Sequence, residues 1–123
     1  MDASAILALL QQEPGAEKLT PELLADAVVS TVNLAEVQSK LVKKGFEADE
    51  AWALAHAPVP ESIGFDEQMA KDTGGMIRVT ERYGLSLGDR ACLALARSLG
   101  APVYTTERIW TNLDLGIPIH VIR

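Results

Sequence analysis

The sequence lacks most features of a secreted or membrane-bound protein. It has one cysteine, Cys92, which therefore has no partner for a disulfide within the chain. Its apolar stretches are broken by polar residues well before the about 20 residues that span a bilayer. The N-terminus has no basic segment followed by an apolar one, as a secretory signal would. These absences predict a protein of the reducing cytoplasm without a membrane segment.

Several catalytic motifs are absent as well. The chain has no glycine-rich phosphate loop and no set of Cys and His at zinc-ligand spacing. Its two histidines, His56 and His120, lie in separate regions without a serine or cysteine signature, so nothing indicates a triad. Cys92 lies in the apolar stretch ACLALA, which predicts a small buried hydrophobe and not a nucleophile.

Basic residues are outnumbered by acidic ones, 11 to 17, and the formal net charge is −6. This balance argues against a protein that binds nucleic acid by phosphate neutralisation alone. Acidic residues can, however, be concentrated at one site. If four carboxylates bind divalent metal, the rest of the chain carries only −2, and the metal supplies positive charge where a phosphate would bind.

The length of 123 residues predicts one domain, residues 1–123. Apolar periodicity, capping residues and β-branched runs predict alternating helices and strands. The predicted helices are Ser4–Gln12, a short one after Thr20, Leu34–Lys44, Asp49–Ala57, one after Asp66 that breaks at Gly74–Gly75, and Leu87–Leu99. The predicted strands are Ala27–Val32, Ser62–Phe65, Pro102–Thr105 and Ile117–Ile122. This alternation predicts a parallel sheet covered by helices on both faces.

Four acidic residues occupy related positions in this pattern. Glu36, Asp89 and Glu107 follow strand signals or open the next helix, and Asp2 precedes the first helix. Ligand sites in open α/β sheets lie beyond the carboxyl ends of the strands, so these side chains are expected to converge. Carboxylates brought together repel one another, and Mg²⁺ relieves this repulsion while it activates water at a phosphodiester.

Each acid also has a purely structural interpretation. Asn33-x-x-Glu36 and Ser86-x-x-Asp89 both fit the capping box, which serves only the helix. Asp2 is explained equally well as a solvated terminal residue, and Glu107 as an acid favoured by a helix N-terminus. The two interpretations are compatible, because a carboxylate in the first turn after a strand already points toward the crevice.

The sequence resembles the PIN-domain family, and within it the VapC toxins of toxin–antitoxin pairs. The resemblance rests on MDASAILALLQQEPG, STVNLAEVQSKL, RYGLSLGDRACLALARSLGAPVYTTERIW and LDLGIPIHVIR, which together span nearly the whole chain. LSLGDRACLALA is the most specific of these stretches. The resemblance implies a three-layer α/β/α fold with a parallel sheet of about four to five strands.

The resemblance also implies a function. It implies endonucleolytic cleavage of structured RNA, often tRNA, with Mg²⁺ or Mn²⁺ held by Asp2, Glu36 and Asp89. It further implies a homodimer, and a VapB-type antitoxin whose C-terminal segment covers the active site. Next to the ligands, Arg90 and Arg108 are candidates for binding RNA phosphates, and Asn33 and Thr105 for hydrogen bonding to metal-bound water or substrate.

The chain departs from the family pattern at two places. The fourth acid is usually an aspartate in a Thr-x-Asp motif, whereas Glu107 here is one methylene longer, and Asp114 is a possible substitute. Only Met1 precedes Asp2, so the first strand is expected to be truncated, with lower stability and weak activity as a result. The alternative function is a PIN-like protein- or RNA-binding module that has lost strict metal geometry.

Overall fold

The computed structural model describes residues 1–123 as helices that alternate with short strands. The helices are α1 (Ala3–Leu10), α2 (Pro21–Asp26), α3 (Thr31–Lys43), α4 (Ala48–His56), α5 (Glu67–Gly75), α6 (Ile77–Thr80) and α7 (Leu87–Leu99). The strands are β1 (Val28–Ser30), β2 (Glu61–Ile63), β3 (Val103–Thr105) and β4 (Ile119–Val121). Three 3₁₀ turns cover Ala16–Lys18, Glu81–Tyr83 and Arg108–Asn112. The predicted α/β class is confirmed.

Capping residues set the helix limits where the sequence signals were strong. Ser86 accepts a hydrogen bond from the Asp89 N–H (3.2 Å), and the Asp89 carboxylate accepts one from the Ser86 N–H (2.9 Å). α7 ends at Gly100, whose φ of 63° is the left-handed conformation that favours glycine. Thr20 likewise caps α2, with Pro21 at its first position. These predicted limits are confirmed.

The boundary between β1 and α3 differs from the prediction. β1 ends at Ser30, and α3 starts at Thr31, so Val32 is helical and not part of a strand. The Ser30 hydroxyl accepts a hydrogen bond from the Val32 N–H (3.2 Å) and caps the helix. The prediction of Asn33 as the helix cap is therefore wrong, because Asn33 already lies inside the first turn.

The strands form two parallel pairs. β1 pairs with β2, Val29 lying opposite Ser62, and β3 pairs with β4, Tyr104 lying opposite His120. The predicted parallel arrangement is confirmed, but the four strands do not form one continuous sheet.

The first two residues of the chain lie between the two pairs. The Met1 α-amine donates to the Val28 carbonyl (2.9 Å), and the Asp2 N–H donates to the Tyr104 carbonyl (3.0 Å). Met1 and Asp2 thus hold the position of a central strand with one hydrogen bond to each side. They also place the Asp2 side chain where β1 and β3 end.

A mostly apolar cavity of about 340 Å³ lies next to Met1, between the beginnings of β1 and β3. Its walls include Ala27, Val28, Leu95 and Pro102. A four-residue β-branched apolar segment joined ahead of Met1 is expected to fill it and to raise the melting temperature by about 5 °C or more, because apolar burial at this size outweighs the cost of ordering the segment. A Gly-Ser segment of equal length is the control, and equal melting temperatures for the two would contradict the expectation.

The core consists of apolar side chains from the strands and from the helices around them. Val29, Leu34 and Val37 are fully buried in one cluster with α1 and α4, and Leu93, Val103 and Trp110 are buried in a second cluster around α7. Cys92 is buried in the second cluster, and this burial raises its thiol pKa to about 12. Its predicted role as a small buried hydrophobe is confirmed. No helix has both the length and the apolar character needed to cross a bilayer.

Candidate metal centre

Asp2 is the most buried carboxylate of the candidate site, with 2% of its surface exposed. Its Oδ2 accepts hydrogen bonds from the hydroxyls of Ser4 (2.5 Å) and Thr105 (2.9 Å). Burial raises the pKa of Asp2 above its ordinary value, and the nearby charge of Asp89 raises it further, whereas the two hydroxyl hydrogen bonds lower it. The side chain is thus held in one orientation by elements that are about a hundred residues apart in sequence.

Ser4 and Thr105 form a small hydrogen-bond network around Asp2. Their oxygens lie 3.2 Å apart, the Thr106 N–H donates to Ser4 (3.0 Å), and the Glu107 N–H donates to Thr105 (3.0 Å). Sequence reasoning singled out Thr105 but missed Ser4. Its position two residues after Asp2, at the start of α1, was the available signal.

Glu36 lies one and a half turns into α3 and faces the start of α7. Its Oε2 accepts a hydrogen bond from Asn33 Nδ2 (2.8 Å), which also donates to the Gly88 carbonyl (3.0 Å). The capping-box interpretation of Glu36 is therefore wrong, because Asn33 joins α3 to α7 and does not cap α3. Partial burial raises the pKa of Glu36, and repulsion from Asp2 and Asp89 adds to that rise.

Gly88 allows Glu36 to approach α7. A Cβ atom at position 88 would lie 2.1 Å from Glu36 Oε1, which is far inside van der Waals contact. Gly88→Ala is expected to push the carboxylate aside and to disturb its hydrogen bond with Asn33, at a cost of no more than about 1 kcal/mol, because the atoms in the way are the end of a flexible side chain. Gly74→Ala is the matched control, because nothing lies within 4 Å of that helical glycine, and it is expected to stabilise by about 0.5–1 kcal/mol. Urea unfolding measures both, and equal effects would contradict the packing explanation.

Asp89 uses one oxygen to cap α7 and has the other available. Its Oδ2 completes the capping box with Ser86, so the structural interpretation of this residue is confirmed. Its charge is nevertheless felt by both Asp2 and Glu36, since it raises the pKa of each. The capping role therefore does not keep Asp89 away from Asp2 and Glu36.

The three carboxylates share a feature that suits a cation. In Asp2, Glu36 and Asp89, the side-chain and capping hydrogen bonds all go to one oxygen of each carboxylate. Asn33 Oδ1, fully buried beside them, has no hydrogen-bond partner. No three His, Cys, Asp or Glu side chains are set at metal-ligand spacing. The donors are hard oxygens with uncompensated negative charge, so their chemistry fits a divalent cation such as Mg²⁺ or Mn²⁺.

The remaining predicted site residues make few contacts with the three carboxylates. Glu107 and Asp114 are exposed, and neither carboxylate accepts a hydrogen bond from the protein. Arg90 is partly buried and donates through Nη1 to the Thr73 carbonyl (3.1 Å), which ties it to α5. Arg108 is exposed and reaches the Arg123 carbonyl (3.5 Å). Glu36 lies against Gly88, the neighbour of Asp89, and Asp2, Glu36 and Asp89 are near enough for their charges to interact. Asn33 is hydrogen-bonded to Glu36 and Thr105 to Asp2, but the three carboxylates are not at metal-ligand spacing.

Comparison with protein-family models finds a match to the PIN domain over residues 1–114. The matched range contains Asp2, Glu36, Asp89 and every other candidate site residue. No curated protein matches the chain.

Proposed function

Because the chain belongs to the PIN domain family, we propose that it is a metal-dependent endoribonuclease in which Asp2, Glu36 and Asp89 hold Mg²⁺ or Mn²⁺. Membership of this family indicates nuclease activity. The observation that supports the proposal best is the proximity of three carboxylates from α1, α3 and α7. Glu36 lies against Gly88, the neighbour of Asp89, and the charge of Asp89 raises the pKa of both Glu36 and Asp2.

The proposed roles follow from the contacts of each side chain. The metal would polarise the scissile phosphate and lower the pKa of an attacking water. Ser4 and Thr105 fix the orientation of Asp2, and Asn33 fixes that of Glu36. Glu107, at the exposed rim, is proposed as the fourth acid.

Substrate contacts are proposed for the polar groups next to the ligands. Asn33 Oδ1 has no hydrogen-bond partner and is available to a metal-bound water or to substrate, and Thr105 lies against Asp2. Arg108 is exposed and is proposed to bind an RNA phosphate. Arg90 is proposed for the same role through Nη2, since Nη1 donates to the Thr73 carbonyl and Nε is buried.

The finer proposal is a toxin of a type II toxin–antitoxin system that cleaves structured RNA such as tRNA. It is supported by the resemblance of the stretches LSLGDRACLALA and MDASAILALL to VapC toxins. The same resemblance supports a VapB-type antitoxin as partner and a homodimer. An adjacent gene for a small DNA-binding protein, and co-purification of its product with this chain, would be the expected finding.

Cleavage of a tRNA mixture tests the enzymatic proposal. We expect cutting with Mg²⁺, no cutting with EDTA, and a loss of at least about a hundredfold with Asp89→Asn, because an amide binds Mg²⁺ less well than a carboxylate but still accepts the Ser86 hydrogen bond. Asp26→Asn removes an exposed acid at the end of α2 and should cut like the wild type. Equal cutting by all four samples would refute the proposal.

A second candidate is a PIN-like module that binds RNA or protein without cleaving it. The specific observation in its favour is that no three acidic side chains are set at ligand spacing. Titration calorimetry separates the two candidates. Mn²⁺ binding that disappears with Asp2→Asn supports the enzyme, whereas RNA binding that does not depend on metal, together with no Mn²⁺ binding, supports the module.

A further inference from the structure

A polar groove of about 440 Å³ leads away from the carboxylate cluster between α1 and α3. Ser4 and Thr106, which belong to the hydrogen-bond network of Asp2, line one end of it. Lys43, Lys44 and Arg123 line it as well. The groove therefore connects the proposed metal centre to a group of basic side chains, which we call the lysine groove.

The two helices that form its walls both run away from the carboxylates. Lys40 and Lys43 of α3, and Lys44 directly after it, follow Glu36 by four, seven and eight residues. They therefore lie on the same face of the helix as Glu36. Lys40 is close enough to Glu36 for its charge to lower the pKa of that carboxyl. The face thus changes from negative at the metal centre to positive at the far end of the groove.

The lysines of the groove are free to bind an anion. Lys40, Lys43 and Lys44 are exposed, and none of them takes part in a salt bridge. The one acid in the groove, Glu13, is already paired with Arg123. In a chain with 17 acidic and 11 basic residues, three unpaired lysines along one groove are a local reversal of the overall charge.

Gln11, a neutral polar side chain in the groove, does not neutralise the positive charge of the lysines. The Gln11 amide lies between Glu13 and Lys44, where it can donate to Glu13 Oε1 (2.8 Å) and accept from Lys44 Nζ (2.5 Å). It therefore holds Lys44 in place at the wall and leaves its charge intact.

We propose that the lysine groove binds the sugar–phosphate backbone of the RNA strand on one side of the scissile phosphate. This inference rests on the proposed nuclease function and assigns the path of its substrate. On α1 the groove runs from Ser4 to Gln11, which is about 10 Å, and a stacked strand advances about 3.4 Å along its axis per nucleotide, with successive phosphates farther apart than that. The groove thus holds about two nucleotides. It is lined by no aromatic side chain, so it binds phosphates and does not stack bases.

RNA binding and small-substrate hydrolysis, measured on the full chain, test the proposal separately from the metal centre. Binding of a fluorescent single-stranded RNA of about twelve nucleotides is followed by anisotropy in EDTA between about 50 and 200 mM salt. Lys43→Gln/Lys44→Gln is expected to weaken binding about twentyfold at 0.1 M salt and to lower the salt slope by about 1.4, because two phosphate contacts are lost. Hydrolysis of bis(p-nitrophenyl) phosphate with Mn²⁺, which is too small to reach the groove, should stay unchanged.

Two further variants serve as controls. Lys71→Gln/Arg78→Gln removes the same charge from exposed positions on α5 and α6, and it should bind RNA like the wild type. Lys43→Arg/Lys44→Arg keeps the charge and should retain binding, which separates charge from helix stability. RNA binding that is equal in the two glutamine variants, or absent in the wild type, would overturn the groove. Failure of the wild type to hydrolyse the small phosphodiester would instead count against the metal centre and leave the groove result standing.

Discussion

Asp2→Asn is expected to reduce metal-dependent RNA cleavage by at least about a hundredfold while leaving the folded protein as stable as the wild type or more stable. The amide has the shape of the carboxylate and can accept the Ser4 and Thr105 hydrogen bonds through its oxygen. The amide carries no charge, so it binds Mg²⁺ less well than the carboxylate does. It also removes the free-energy cost of burying a negative charge. Activity and stability should therefore move in opposite directions.

This opposition distinguishes a functional carboxylate from a structural one. If Asp2 served only to hold α1 against β3 through its hydroxyl contacts, replacing it would lower stability and activity together. The measurements are the cleavage rate of RNA with Mg²⁺ and urea unfolding in EDTA. Asp26→Asn, which changes an acid outside the metal centre, at the end of α2, is the control and should cleave like the wild type. A destabilised Asp2→Asn variant with normal cleavage per folded molecule would contradict the role proposed for Asp2.

The sequence predicted the limits of a helix correctly where the contacts that fix its ends are between residues close together in the chain. α7 was predicted to the residue because Ser86 and Gly100 act on the helix ends within one turn. The start of α3 was placed too late because Val32 is β-branched and favours strands. The Ser30 hydroxyl, which is a weaker signal in the sequence, caps α3 two residues before Val32.

The supporting contacts of the site could not be predicted for a related reason. Acids at the starts of helices are visible in the sequence, and Asp2 and Asp89 were found in this way. The hydroxyl pair around Asp2 joins residues about a hundred positions apart, and the bond from Asn33 to the Gly88 carbonyl spans 55 positions. Such pairs are fixed only when the helices pack, so no local pattern shows them. The division of the strands into two pairs is likewise a long-range feature.

Mg²⁺ or Mn²⁺ is expected to stabilise the protein, and to do so more strongly as the pH rises from 4 to 7. Burial and mutual repulsion raise the pKa of Asp2 above its ordinary 3.8 and that of Glu36 above 4.5. Both groups are protonated in the folded and the unfolded chain below those ordinary values, so their burial then costs little. As the pH rises through the raised values, the folded chain must bury ionised groups, and this part of its stability is lost.

A cation acts against that loss because it binds the ionised forms. Protons compete with the metal at low pH, so its effect on stability should be small near pH 4 and full near pH 7. At a hundredfold excess over the dissociation constant the gain is about 2.7 kcal/mol, or roughly 10 °C in melting temperature for a chain of this size. Thermal unfolding with Mn²⁺ and with EDTA, over a series of pH values, measures it.

Asp2→Asn provides the internal check on this pH dependence. The variant lacks one of the two groups with a raised pKa, so in EDTA its stability should fall less between pH 4 and pH 7 than that of the wild type. It should also gain little from Mn²⁺. If the wild type and the variant responded alike to pH and to metal, the carboxylates would not share a cation. The charges of Asp2 and Asp89 both raise the pKa of Glu36. Removing the charge of Asp2 should therefore also make Glu36 easier to ionise.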